Sequence, residues 1–335
     1  MKKIIEIWND QETDSELSCN LLLRRYSPNV LPDVFVAFRK SEMQRGLALR
    51  VKIEFVKFLS HNTDLEVIKL DFMPDESDLS KSLLLILLLS NQHIDVFAAL
   101  CEDLIADISS IKNEDLLVKE LLNRLEKWKA LFSKASLDGM TADEQRGLYG
   151  ELYFLKIWLR ASDDTQKCIQ SWVGPQGAIR DFQLLDWALE VKTTHGNNHQ
   201  KIQISSERQL DTSNLNQLFL FHLSLEEQQK NGETLNALID EIFDMLNSDV
   251  ASQTQFRIMI SRVGYFNHHR NLYDKKGYII RQAAYYLVKD EFPRIEESEV
   301  RKGVGDVKYS IILSENTDYK IKEDSVIEII NRNGK

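Results

Sequence analysis

The sequence lacks most of the features from which a function can be read directly. Its 335 residues include only three cysteines, Cys19, Cys101 and Cys168, far apart and without a CxxC pair. That excludes a disulfide framework and gives no sign of a zinc site, and it suits a reducing compartment. Long apolar runs are also missing. The strongest, "SLLLILLLS" at 82–90, is far too short to span a bilayer. The N-terminal "MKKIIEIWND" has neither the apolar core nor the small-residue cleavage site of a signal peptide. These absences predict a cytoplasmic protein with no membrane partner. No P-loop, GxGxxG, GxSxG or HExxH pattern occurs, so nothing points to ATP use, dinucleotide binding or the hydrolase chemistries those motifs carry. Positive charge is in deficit as well. The net charge of −10 argues mildly against a non-specific nucleic-acid coat, although it says little about local field.

What is present has the profile of a soluble globular protein, with 43% hydrophobic and 28% charged residues in a chain long enough for two or three domains. Residues 1–20 read as helix. From Tyr26 to about Leu70 the pattern turns to short β-like runs, "DVFVAF", "GLALRVKIEFVKFL" and "LEVIKLDF", and the 82–89 run closes this β-rich part. "HIDVFAALCEDLIADISSI" and a second segment at about 114–133 then carry apolar residues at helical spacing. The expected organisation is an N-terminal α+β domain at 1–112 and a connecting helix at 113–140 with "SKASLDGM" as the joint. A core at 141–250 and a C-terminal α+β extension at 251–335, packed on that core, complete it.

The best-signalled element begins at Thr141. "TADE" is a capping box, and Leu148, Leu152, Leu155 and Leu159 make an apolar stripe with Glu151 at its flank. Gly147 and Gly150 each weaken a helix by up to about 1 kcal/mol, so close approach to a neighbouring backbone is expected there. "CIQSWV" (168–173), "DFQLL" (181–185) and "ALEVKTT" (188–194) read as three strands, with Asp186 and Trp187 as the turn of a hairpin between the last two. "KIQIS" reads as a short strand and "SSERQL" as a helix start capped by Ser205 or Ser206. "LFLFHLSL" (218–225) reads as a buried strand and "TLNALIDEIFDMLNS" (234–248) as an amphipathic helix.

Two residues sit oddly in this pattern. Glu190 and Lys192 lie on an otherwise apolar strand, and residues i and i+2 share a face, so both project with Ala188, roughly 7 Å apart from two strand rises. For an arbitrary strand a plain ion pair is the bland explanation.

The order of elements and these residues resemble the PD-(D/E)xK nuclease superfamily, whose restriction-endonuclease-like core is an αβββαβ unit. "GLYGELYFL", "EVKTT", "ISSERQL", "FPRI" and "VKYSIIL" are similar, more narrowly, to a bacterial family grouped with those nucleases and encoded beside restriction or phage-defence genes. The narrow likeness spans most of the chain, the catalytic motif only about 141–225. The resemblance implies an α/β (α+β) fold and a Mg²⁺-dependent DNA endonuclease, with Mn²⁺ as substitute ion. Asp181 would be the first metal-ligand aspartate, Glu190 the second acidic ligand and Lys192 the motif lysine. Glu151 would match the extra helix glutamate of many members, and Gln209 is a secondary candidate. Arg180 stands where the motif has proline. The implied partners are DNA and other proteins of a defence or restriction complex, with a homodimer as one assembly. The opposing reading is an inactive nuclease-like scaffold that binds DNA or a protein.

The chemistry asks for the same residue types. Phosphodiester hydrolysis needs an activated water and neutralisation of developing charge, and Mg²⁺ takes a few carboxylates plus waters and phosphate oxygens. Asp181 and Glu190 could converge on one ion, the Val191 carbonyl between Glu190 and Lys192 could complete the shell, and Lys192 could orient or deprotonate water. Two basic stretches, 38–52 with Arg39, Lys40, Arg45 and Arg50, and 257–281 with Arg270, Lys275 and Lys276, are candidate DNA contacts. The second interleaves Tyr265, Phe266, Tyr273 and Tyr278, which suits exposed bases, although core aromatics on a solvated hairpin explain it more simply.

Overall fold

The computed structural model describes residues 4–13, 19–59, 67–75, 77–134, 139–196, 200–229 and 231–332. The chain divides into two compact units, 1–137 and 138–335. The division falls within "SKASLDGM", of which residues 135–138 lie outside the described residues.

The first unit opens with helix α1 (Ile4–Thr13). Strands β1 (Leu21–Arg25), β2 (Val34–Arg39) and β3 (Gln44–Lys52), helix α2 (Glu54–Leu59), and strands β4 (Ile68–Pro74) and β5 (Lys81–Leu88) follow. Helices α3 (Ile94–Ile108) and α4 (Glu114–Lys134) close it, α4 lying within the segment expected as a connector. The sheet order is β1-β2-β3-β5-β4, antiparallel throughout. Strand β5 lies inside the sheet with Leu84, Leu85, Ile86 and Leu87 all buried, which explains an apolar run without alternation. Trp8 of α1 stacks on Phe97 of α3 and donates its indole N–H to the Gly46 carbonyl at 3.0 Å, tying both helices to the sheet.

The second unit contains helices α5 (Ala142–Arg160) and α6 (Thr165–Ser171), then strands β6 (Phe182–Leu184), β7 (Trp187–His195), β8 (Lys201–Ile204), β9 (Gln217–Gln229) and β10 (Glu233–Thr234). Helices α7 (Leu235–Met245), α8 (Val250–Arg262) and α9 (Arg270–Tyr273), strands β11 (Lys276–Leu287), β12 (Tyr309–Ile312) and β13 (Lys320–Ile321), and helix α10 (Glu323–Arg332) complete it. The main sheet runs β10-β11-β9-β7-β6, with β13 on β11, and β8 pairs separately with β12. Only the β7–β9 pair is parallel among these. The fold is α+β and nuclease-like, as the resemblance implies. Residues beyond 250 supply β11, which pairs with β9 along most of its length.

Several elements differ from the sequence reading. "CIQSWV" is largely helix α6, not a strand. The Asp164 side chain caps it by accepting from the Lys167 N–H at 2.9 Å, and Cys168, Ile169 and Trp172 reach the core at helical spacing. Trp172, just past the helix, joins the sheet through a bridge to Phe182. The hairpin turn is Leu185–Asp186, with Leu185 at φ 49°, and the buried Trp187 already belongs to β7 opposite Leu184. "SSERQL" forms a 3-10 turn over Glu207–Leu210 rather than an α-helix, with the Ser206 hydroxyl accepting from the Arg208 N–H. Of the two α5 glycines, Gly150 alone has a close neighbour, and that neighbour is side chain rather than the expected backbone. A Cβ there would fall within 2.4 Å of Thr193 Cγ2 on β7, whereas Gly147 faces open space. Among the described residues no helix is long and apolar enough to cross a membrane.

Candidate active site

Strand β7 has two chemically different faces. Leu189 and Val191 bury against α5 beside Leu148, Leu152 and Leu155, while Ala188 joins a second core with Ile202, Ile204 and Leu220. Glu190 and Lys192 continue the Ala188 face, as their shared parity requires. Glu190 is 1% exposed, and its Oε1 pairs with Lys192 Nζ at 2.7 Å. Lys192 Nζ also donates to Gln209 Oε1 at 3.2 Å, and the same oxygen accepts the Ser205 N–H at 2.9 Å.

Asp181 immediately precedes β6. The register sets Phe182 opposite Leu189, so the next step outward sets Asp181 opposite Glu190. The Asp181 carbonyl accepts from the Val173 and Gly174 N–H groups, and its Oδ2 accepts the Val191 N–H at 2.7 Å. Glu151 reaches the cluster from α5, its Oε2 held by the Trp172 indole N–H at 2.7 Å. Gly174 keeps space there, since a Cβ would stand 3.2 Å from Glu151 Oε2 and 3.3 Å from Asp181 Oδ1. Thus Asp181, Glu190, Lys192, Gln209 and Glu151 come together, with Val191 between them.

Three carboxylates, Glu190 buried and Asp181 and Glu151 half-buried, share one ammonium, and their proton affinities register the imbalance. Burial pushes Glu190 up to about 8, the neighbouring Asp181 adds to this, and Lys192 opposes it. Burial likewise raises Asp181 to about 6 against the Val191 N–H and Lys192. Glu151 is raised well above the carboxylate range by burial and then by Asp181, with the Trp172 hydrogen bond acting the other way. Burial works against the Lys192 charge, but Glu190, Asp181 and Glu151 together hold its amine above the ordinary range.

Among the described residues, no group of three or more His, Cys, Asp and Glu side chains is arranged as a metal cage. The donor set does fit a hard divalent ion that needs only one or two carboxylates, completing its shell with waters. Glu190 Oε2 is buried with no hydrogen-bond partner, and Asp181 Oδ1 borders the space kept by Gly174. An excess of buried negative charge beside an unsatisfied carboxylate oxygen is what such an ion relieves.

The basic candidates are largely engaged by acidic partners within their own units. Arg39 pairs with Asp71 at 2.8 Å. Arg45 is nearly buried against Glu12 and Asn91. Arg50 bridges Asp33 and Asp75 and lies over the Phe35 ring. Arg45 and Arg50, five positions apart on β3, project from opposite faces of their sheet, while the half-buried Lys40 opens a short 3-10 turn. In the second unit Arg270 pairs with Asp240, Lys276 pairs with Glu227 at 3.1 Å, and Lys275 is exposed. Tyr265, Phe266, Tyr273 and Tyr278 are all buried, so the interleaved aromatics are core.

Sequence reasoning missed Trp172 and gave Arg180 no role. A buried indole N–H requires an acceptor, which made Trp172 a signal in principle. Arg180 Nε donates to the Gln209 carbonyl at 3.1 Å and its Nη2 to the Asp211 carbonyl. Residues 4–314 match the family described as "Putative PD-(D/E)XK family member, (DUF4420)". The chain belongs to this family. The match covers both units. No curated protein and no solved structure matches the chain.

Proposed function

We propose that this chain is a Mg²⁺-dependent DNA endonuclease of the bacterial cytoplasm, acting in a restriction or phage-defence system. The observation that carries the reading is the cluster of the buried Glu190 and the half-buried Asp181 and Glu151 around one lysine, the residues that the resemblance assigns to the motif. Asp181 and Glu190 would hold the ion, with the Val191 carbonyl and Glu151 as further ligands. Mn²⁺ would substitute. The bound ion supplies Lewis-acid neutralisation of phosphate charge and lowers the pKa of coordinated water.

The protein's own residues do the positioning. Lys192, carried by the β7 backbone and steadied by Gln209, is charged and stands beside the carboxylates rather than among the ligands. It can orient the attacking water and stabilise charge that builds on the phosphate. Trp172 keeps Glu151 aimed at Asp181, and the Val191 N–H fixes one Asp181 oxygen so that the other faces the open space. The exposed Lys275 remains a candidate phosphate contact on the second unit.

The test is plasmid nicking with Mg²⁺ or Mn²⁺ against EDTA, with Lys192→Ala as control. Metal-dependent nicking by the wild type, lost in Lys192→Ala while Mn²⁺ binding persists, is the expected result. Equal activity in both proteins would refute the assignment. No cutting by a wild type that still binds DNA would favour the scaffold.

A further inference from the structure

The motif's proline is replaced here by arginine, and the structure gives that arginine work a proline could not do. We propose that Arg180 is a positioning residue that straps the loop at 205–211 to the Asp181 segment, and so fixes Gln209 beneath the Lys192 amine.

The loop has little architecture of its own. Its regular structure is the four-residue 3-10 turn, so its placement depends on side-chain ties. On one side the buried Glu207 accepts the Val307 N–H at 2.7 Å, and Asp211 accepts the Glu297 N–H at 3.1 Å. On the side of Asp181, Arg180 grips two carbonyls of the loop, those of Gln209 and Asp211. A guanidinium suits this task because its donors form a rigid planar fork, whereas an ammonium is a point charge on a flexible stem.

The grip bears on the lysine through one atom. Gln209 Oε1 accepts both Lys192 Nζ and the Ser205 N–H, so the backbone that Arg180 holds also carries the acceptor that holds the lysine. Lys192 is thereby drawn between Glu190, on its own strand, and Gln209, on the strapped loop. Arg180 also brings a second cation close to the cluster. Burial disfavours its charge, while Glu190 and Asp211 favour it. The catalytic consequence rests on the nuclease reading. The positional one does not.

The experiment uses the full chain with Arg180→Met, Arg180→Lys, Gln209→Ala and the Arg180→Met/Gln209→Ala double variant. Three quantities are measured: hydrogen exchange of the 205–211 amides, Mn²⁺ affinity by calorimetry, and single-turnover plasmid cleavage. Arg180→Met is expected to lose protection in 205–211 while keeping Mn²⁺ affinity near wild type. Its cleavage rate should fall about 10²-fold, the usual scale for an ångström-sized misplacement. Gln209→Ala should be slowed similarly, the double variant should be no slower than the slower single, and Arg180→Lys should recover part of the rate. Unchanged exchange in 205–211, or losses that multiply in the double variant, would overturn the strap. If the wild type cuts no DNA the nuclease reading falls, and exchange in Arg180→Met still decides whether the strap exists.

Discussion

Each unit buries a carboxylate against a tryptophan indole, and the two arrangements end differently. In the first unit Asp103, fully buried, accepts the Trp128 indole N–H at 2.7 Å and pairs with Arg124 at 3.1 Å, while Arg124 also reaches the part-exposed Asp107. In the second, Glu151 accepts the Trp172 indole N–H at 2.7 Å, but the half-buried Asp181 and the buried Glu190 stand beside it and Lys192 is the cation among them. The first cluster has one deeply buried acid and a guanidinium to match it. That is a finished structural pair joining α3 to α4. The second has accumulated charge that folding alone does not reward, because like charges in a low-dielectric interior raise one another's free energy. The same local device, an indole holding a carboxylate, therefore serves architecture in one unit and a poised chemical group in the other.

Removing the cation from each cluster should give the largest contrast. Lys192→Ala is expected to remain folded and bind Mn²⁺ while cleavage falls about 10²- to 10⁴-fold, the range for a positioned electrostatic or proton-transfer group. Its stranded Glu190 can take a proton instead of bearing an unpaired charge. Arg124→Met should leave the chemistry alone and cost about 3–5 kcal/mol of stability, because Asp103 loses its charge partner. Urea titrations beside cleavage assays separate the two. A Lys192→Ala protein as destabilised as Arg124→Met would make both clusters structural.

Neutralising an acid should split them by sign. Glu190→Gln relieves repulsion with Asp181 and Glu151, so it is expected to raise stability by about 1 kcal/mol in EDTA while abolishing metal-induced stabilisation. Asp103→Asn should lower stability by about 2–3 kcal/mol, since it breaks the buried pair with Arg124 and leaves that guanidinium to the part-exposed Asp107. Destabilisation in both variants would remove the distinction.

A pH slope gives a further contrast. Glu190 moves from 4.5 to about 8 and Asp181 from 3.8 to about 6. Between about pH 4 and 8 the folded protein therefore holds protons that the unfolded chain has released. Stability drawn from these two groups falls as pH rises through that window, by at most about 1.4 kcal/mol per unit for each proton, and their share levels off above pH 8. The difference between wild type and Glu190→Gln isolates the slope, and Mn²⁺ at pH 8 should cancel it. A difference that is flat from pH 5 to 8 would mean that Lys192 alone balances the cluster.

What could be read in advance follows sequence distance. The capping box of Thr141 and Glu144 and the leucine stripe of α5 are local patterns, and the Glu190–Lys192 pairing on one face follows from strand parity. The ties that give the site its shape join residues far apart: Trp172 to Glu151, and Arg180 to Gln209. Nothing in the spacing of those residues encodes them. "CIQSWV" misled because a short buried helix and a buried strand share a composition, and the deciding residue, Asp164, lies before the run. Counting charge in 38–52 could not anticipate Asp71, Glu12, Asp33 and Asp75 arriving from other segments to neutralise three of its arginines.

Gly150 carries a consequence out of proportion to its size. It touches β7 where any side chain would collide with Thr193, and it immediately precedes Glu151. It therefore acts as a gauge block, setting the gap between the helix that brings one carboxylate and the strand that brings another. A single methyl group inserted there would wedge that gap open and swing Glu151 away from Asp181, leaving every chemical group of the cluster intact. The cluster's tolerance is thus fixed by a residue that has no functional group to lose.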